Sequence, residues 1–326
     1  MKKNITLALI HGGRGYESEV SLGGKGYIYP ILKEDYNILP VFIDKAGRWL
    51  IEEREVFPYH GGFLSPKDGL FFDCDCALPL LHGDYGEDGI VQGALCCANI
   101  PYVGCESTVG AICRDKAVVK AVAERLNIPT LPYVLFKEGD NIEIAEGEIG
   151  YPMFIKPTSL GSSFGASPAR DREGLHRALD TAFSHSKRVM IERLIEPKRE
   201  LECGFFSVKG KELFTNPGEI LSDGLFYDYE SKYKNSGFKT RDEADVDGEI
   251  CRLIKEYSSR LVRFLGIKQL ARIDFFLSEG RLYFNEINTM PGMTETSLYL
   301  KMLSRQRLGV REALGLLIED AISISG

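Results

Sequence analysis

The sequence predicts an α/β fold whose first third is a parallel sheet covered by helices. Three observations carry this. Short apolar runs alternate with helical patterns from residue 5 to residue 104, the pattern of parallel strands joined by crossover helices. Glycine-containing loops follow two of the runs, at Gly12-Gly13 and His82-Gly83, where strand ends in such a sheet open onto a ligand crevice. Beyond residue 200 the strands lengthen and a hairpin pattern replaces the alternation.

Each element has its own reason. Residues 5–10 are a buried-type strand, 12–15 a loop, Ser18–Leu32 a helix and Asn37–Ile43 a second strand. Residues 76–81 are a further apolar run, 89–98 a helix and 102–104 a short strand. Residues 115–126 are strongly helical, with Lys116 and Lys120 one turn apart and Pro129 just past the end. Strands are expected at Tyr133–Phe136, 153–156 and 189–191, with a helix at 174–184. Strands at 201–208, 272–277 and 282–286 follow. Gly248–Leu265 is an amphipathic helix between them, and 309–323 closes the chain as a helix. No internal repeat or low-complexity tract interrupts the pattern. Weak shifts in composition divide the chain into segments 1–110, 111–195 and 196–326.

The 326 residues are 44% hydrophobic and 27% charged, with a formal net charge of −7. That composition suits a folded chain and argues against a general nucleic-acid binder. No apolar run approaches the roughly 18–20 residues of a membrane span. The first apolar stretch stops at His11-Gly12-Gly13 without a cleavage site, so it reads as a strand and not a signal peptide. The expectation is a cytoplasmic protein with no nucleic-acid and no membrane partner. Its eight cysteines are expected to be reduced, with Cys96, Cys97, Cys113 and Cys251 acting as small buried hydrophobes. Without paired Cys-x-x-Cys motifs, zinc is not expected.

Several segments carry chemistry. Lys156-Pro157-Thr158-Ser159-Leu160-Gly161-Ser162-Ser163-Phe164-Gly165 follows a strand. Its glycines let backbone N–H groups approach phosphate oxygens, Ser162 and Ser163 add hydroxyl donors, and Lys156 adds a cation. It can equally be a flexible glycine-serine loop. Near the end, Arg272 and Asp274 share one strand face, and Glu286 and Asn288 share another. A two-residue turn between the strands puts Asp274 and Glu286 on opposite faces. An odd-length loop, or an equivalent bulge, puts them together, and that is the expectation. Two carboxylates and an amide on one face suit magnesium; a cross-strand salt bridge is the plain alternative. Pro291-Gly292 marks a tight turn before Ser297 and Leu298, which stand at a possible helix start. The polar, aromatic stretch 226–233 reads as a binding loop or lid, with Lys232 and Tyr233 able to reach a ligand. Glu17-Ser18-Glu19 and the loop from His82 to Gly89 put acids and a histidine at the first crevice.

In this order, the segments resemble the D-alanine–D-alanine ligase family of ATP-grasp enzymes. Five motifs carry the resemblance, from about residue 5 to residue 298. They are Glu-Val-Ser-Leu at 19–22, His-Gly-x-x-Gly-Glu-Asp-Gly-x-x-Gln-Gly at 82–93, Lys-Pro-x-x-x-Gly-Ser-Ser at 156–163, Phe-Tyr-Asp-Tyr-Glu-x-Lys-Tyr at 226–233, and Asn-Glu-Ile-Asn-Thr-Met-Pro-Gly-Met-Thr at 285–294. The chain departs from the family pattern in the loop at 12–16, where a serine near Gly15 is usual, and at Leu300, where proline is common.

The resemblance implies a three-domain ATP-grasp architecture with an N-terminal Rossmann-like parallel-sheet domain. It implies that ATP and two magnesium ions, or manganese, support the joining of two D-alanines through an acyl phosphate, for peptidoglycan precursors. Lys116, Lys156 and Ser163 would contact the phosphates. Glu192, Leu194 and Ile195 would hold adenine, and Glu200 the ribose. Asp274, Glu286 and Asn288 would bind the metal ions. Glu19 would accept the ammonium of the first D-alanine and form a hydrogen-bonded group with Ser162 and Tyr233, with His82 near the substrate carboxylate. Lys232 would reach the γ-phosphate. Arg272 and the Gly292 N–H would stabilise the oxyanion, and Ser297 with Leu298 would bind the second substrate's carboxylate. The lid tyrosine favours D-alanine or D-serine over D-lactate as acceptor, and the family suggests a homodimer. A D-Ala-D-Ser ligase, a non-catalytic ATP-binding regulator and an ATP-grasp ligase for another carboxylate are the alternatives.

Overall fold

The computed structural model describes residues 4–221 and 239–325. The first sheet takes β1 (Thr6–Gly12), β2 (Asn37–Ile43), β3 (Trp49–Ile51), β4 (Arg54–Tyr59), β5 (Gly62–Leu64), β6 (Phe71–Asp73) and β7 (Cys76–Pro79), in the order β6-β5-β4-β3-β2-β1-β7. Only β2, β1 and β7 are parallel; the strands from β2 to β6 run as an antiparallel meander. The expected parallel sheet is thus a three-strand core with an antiparallel extension. The reason is linker length: β3 and β4 are joined by Glu52-Glu53 alone, both with left-handed backbone, whereas a parallel crossover needs a dozen residues or more. Residues 102–104 form a single bridge to Ala77 and not a strand.

Helix α1 (Ser18–Leu32) lies on this sheet and buries Ser21, Gly24, Ile28 and Leu32, spaced at three to four residues. Helices α2 (Ile90–Cys97), α3 (Ser107–Arg114) and α4 (Lys116–Arg125) follow. The second sheet has β8 (Tyr133–Phe136), β9 (Met153–Pro157), β10 (Ser167–Ala169) and β11 (Val189–Arg193) in the antiparallel order β10-β9-β11-β8. Helices α5 (Glu143–Glu148) and α6 (Arg172–Phe183) close its core around Met153, Ile155, Leu175 and Ile191.

The third sheet is antiparallel: β12 (Arg199–Val208), β13 (Lys211–Phe214), β14 (Gly218–Leu221) and β15 (Lys239–Arg241), then α7 (Gly248–Leu265), β16 (Leu270–Ser278) and β17 (Arg281–Asn288). Helices α3 and α4 pack into the core of this sheet through Val109, Cys113, Val119 and Ala123. The chain ends in α8 (Leu298–Arg305) and α9 (Val310–Ser325). Leu314, Leu317 and Ile318 of α9 share one core with Leu7 and Leu9 of β1 and Leu78 of β7. All eight cysteines are free. Cys113 is buried, but Cys96 and Cys97 are exposed at the end of α2, against expectation, because the helix buries Val91, Gln92 and Leu95 instead. Among the described residues no helix is long and apolar enough to cross a membrane.

Candidate active site

The β16–β17 hairpin turns through Glu279 and Gly280, both left-handed, with Ser278 paired to Arg281. That two-residue turn alone would put Asp274 and Glu286 on opposite faces. A β-bulge prevents it. Phe275 pairs with Phe284, Asp274 pairs with Glu286, and Asn285 is the extra residue. Of the two expected devices, odd loop or bulge, the chain uses the bulge. Arg272 stands opposite Asn288 in the same register.

Arg272 grips Asp274 through two nitrogens at 2.8 and 2.7 Å, and Asn288 Nδ2 donates to Asp274 at 3.0 Å. Glu202 on β12 is 3.3 Å from Arg272. Burial opposes the Arg272 charge, but Asp274 and Glu202 outweigh it and keep the guanidinium protonated. Burial pushes the Asp274 carboxyl up, against the pull of Arg272. Burial also works to raise Glu286, but Lys116 and Lys156 overcome it and hold that carboxyl well below its ordinary range. Lys116 Nζ is 3.0 Å from Glu286. Two carboxylates and an amide on one face, each carboxylate countered by a cationic side chain, form an oxygen-rich donor set that fits a hard divalent cation.

Beside them lies a buried lysine–carboxylate cluster. Lys156 Nζ is 2.6 Å from Glu192 and 3.2 Å from the bulged Asn285, and Lys120 bonds the other Glu192 oxygen. Glu192 is 1% exposed. Burial alone would raise its carboxyl, but the two lysines bring it down to about 2. Helix α4 supplies Lys116 and Lys120 from one face. It is capped by Asp115, which accepts from Ala117 and Val118 N–H at 2.9 and 3.2 Å. Lys116 Nζ donates to the Leu160 carbonyl at 2.8 Å, tying α4 to the glycine-serine turn. In that turn Ser162 and Ser163 both adopt left-handed φ, +49° and +60°, uncommon for residues with a Cβ. Such turns present backbone N–H groups to anions. Leu194 and Ile195 lie on the passage from β11 to β12, and Glu200, near the start of β12, is 3.1 Å from Lys198.

The first-sheet loops complete the crevice. Ser162 Oγ hydrogen-bonds Glu17, not Glu19. The expected Glu19–Ser162 pairing is corrected for a helical reason: α1 starts at Ser18, so Glu19 lies exposed on its first turn while Glu17 precedes the helix and faces inward. Gly83 and Gly161 both press on Glu17; a Cβ on either would come within 2.1 and 2.9 Å of its Oε2. His82 is buried, and its Nε2 has no hydrogen-bond partner among the described residues. Burial lowers its imidazole, against the opposing pull of the Glu17 charge. An orphaned buried ring nitrogen is available to a ligand.

The 289–298 turn closes the far side. A Cβ on Gly292 would approach Ser297 Oγ to 2.8 Å. Ser297 precedes α8 as its cap residue, and its Oγ accepts from the Thr294 N–H at 2.9 Å. Leu298 opens the helix and is buried. Lys232 and Tyr233 lie outside the described residues. Sequence reasoning assigned no site role to Glu17, Lys120, Asn285 or Arg114. The one-turn spacing of Lys116 and Lys120 signals the second, and the need for a bulge signals the third. Glu17 is signalled only once the helix start is fixed.

A phosphate-type turn on one antiparallel sheet, facing a carboxylate-lined hairpin on another, defines an ATP-grasp enzyme. Family models match two stretches: D-ala D-ala ligase N-terminus over residues 62–105 and D-ala D-ala ligase C-terminus over residues 122–319. The chain belongs to the D-alanine–D-alanine ligase family. It is 38% identical to a D-alanine--D-alanine ligase of Solibacter usitatus, over 98% of this chain and 95% of that one. Among solved structures it resembles D-alanyl-alanine synthetase A from Vibrio cholerae, at 32% identity and TM-score 0.89, covering 99% of each chain. It also resembles a D-Ala:D-Ser ligase from Enterococcus faecalis, at 29% identity and TM-score 0.86, covering 97% of this chain and 99% of that one.

Proposed function

We propose that the protein joins two D-alanines at the expense of ATP, supplying dipeptide for peptidoglycan precursors in the cytoplasm. The observation that supports this reading most is the convergence of the Asp274–Glu286 pair, the Lys116–Lys156 pair and the Glu17–Ser162 contact on one crevice. Phosphoryl transfer is mostly positioning and charge neutralisation, which these groups supply. Lys116, Lys156 and the Ser162-Ser163 turn hold the phosphates. Glu192, Leu194 and Ile195 hold adenine, and Glu200 the ribose. Asp274, Glu286 and Asn288 would hold two magnesium ions, or manganese, which would neutralise phosphate charge.

Glu17 takes the substrate-ammonium role expected of Glu19, and His82 lies near the carboxylate that is phosphorylated. One carboxylate oxygen of the first D-alanine attacks the γ-phosphorus and ADP leaves. The amine of the second then attacks the acyl-phosphate carbonyl carbon and phosphate leaves. Arg272 and the Gly292 N–H face the developing oxyanion, and Ser297 with Leu298 receive the second carboxylate. Lys232 and Tyr233 are assigned to closure over the γ-phosphate and the first substrate. The chain divides at about 110 and 195 and forms a homodimer.

Purified protein with ATP, magnesium and D-alanine is expected to release ADP and phosphate only when D-alanine is present. ATP binding without turnover on any D-amino acid would overturn the reading in favour of a regulator. D-Serine and D-lactate, each offered with D-alanine, separate the acceptor classes.

A further inference from the structure

Arg114 ends α3 with its side chain 9% exposed. A buried guanidinium is costly unless paired, and this one meets three carboxylates from two loops: Asp84 at 3.0 Å, Glu87 at 3.6 Å and Glu17 at 4.0 Å. The glycine-serine turn reaches it too, since a Cβ on Gly161 would lie 3.1 Å from an Arg114 nitrogen. Its Nε has no hydrogen-bond acceptor among the described residues. The outer nitrogens therefore do the pairing while an inner N–H stays unsatisfied, an arrangement that favours carboxylate placement over stability.

Those carboxylates repel one another. Glu87 accepts from the Gly83 N–H at 3.0 Å and from the Met290 N–H at 3.4 Å, so it is fixed between the first loop and the 289–298 turn. Burial raises its carboxyl to about 7, and the Glu17 charge adds to the rise while Arg114 opposes it. Arg114 is the cation that stands within 4.0 Å of Glu17 and 3.6 Å of Glu87 and offsets their repulsion.

We propose that Arg114 is a positioning residue for the first amino-acid substrate, holding the Glu17 carboxylate aimed at the substrate ammonium. The inference rests on the ligase reading and on Glu17 as its ammonium acceptor. It needs no contact between Arg114 and substrate: the guanidinium acts through Glu17, and through Asp84 and Glu87 on the loop that carries His82.

The test is steady-state kinetics of the wild type, Arg114→Met and Arg114→Lys, with the two D-alanine constants resolved over a wide concentration range and the ATP constant measured separately. Arg114→Met is expected to raise the KM for the first D-alanine at least tenfold, with the ATP and second D-alanine constants within about twofold. Arg114→Lys, which keeps the charge, is expected to recover most of the loss. Equal changes in all three constants, or no rescue by lysine, would show a merely structural role and overturn the inference. Should Arg114→Met fail to fold, Arg114→Gln read by the same constants decides. An inactive wild type would refute the ligase reading itself, whereas an active wild type with unchanged variants refutes only the role of Arg114.

Discussion

Glu17 and Glu19 are two residues apart and chemically identical, yet only one reaches Ser162. Glu17→Gln is expected to raise the first D-alanine KM tenfold or more, while Glu19→Gln leaves it within twofold; saturation curves of both variants check this. The distinction was not legible in the sequence, because it depends on which residue precedes the first helical turn. Glu192 shows another kind of residue effect. Its carboxyl lies below the ordinary 4.5, at about 2, because of Lys120 and Lys156. A depressed acid contributes stability that is complete above the unfolded value and is lost as pH falls through the folded one. The urea midpoint is therefore expected to fall between pH 4.5 and pH 2, and less steeply over that window in Glu192→Gln. Lys156 was expected to be a phosphate cation from its motif, and Lys116 only from the family resemblance. Lys120 was visible on the same helix face, but its buried acid partner belongs to a different sheet.

At the scale of the element, the Asn285 bulge decides the site. Removing Asn285 gives an unbroken ladder in which Glu286 and Asn288 still stand opposite Asp274 and Arg272, so the face is kept while the bulge's local twist and the Lys156–Asn285 contact are lost. The deletion is expected to lower D-alanine-dependent phosphate release, because the carboxylates keep their face but lose the bulge that aims them. Asn285→Ala, which keeps the bulged backbone and loses only the Lys156 contact, is expected to retain more activity; a phosphate-release assay on both separates backbone from side chain. Long periodic elements were fully legible: Ser18–Leu32, Asn37–Ile43, Tyr133–Phe136 and Gly248–Leu265 fall where the pattern puts them. The three-residue strands β3, β5, β6, β10 and β15 were not, because so few residues show no alternation. Their place comes from pairing with neighbours.

Across the whole molecule, which helices cover which sheet was not readable in the sequence. Helices α3 and α4 precede the second sheet in sequence and yet pack into the core of the third. That choice carries Lys116 and Lys120 to the crevice. Helix α9 likewise joins a core shared with β1 and β7 of the first sheet and with Phe206 and Leu270 of the third. Leu317→Ala is expected to cost about 2–5 kcal/mol by emptying part of that shared core. Urea unfolding should show the loss as a lower midpoint, read by probes on either sheet, because the same helix supports both.

The position of α9 also bears on biogenesis. The ribosome releases the opening strands long before it makes the helix that shields their apolar side, so the growing polypeptide carries an uncovered greasy surface through most of translation. Domains laid down first generally start to fold during synthesis, but here that early product is left sticky until α9 emerges. A premature stop shortly before residue 310 would therefore yield aggregation, and not merely a slow enzyme.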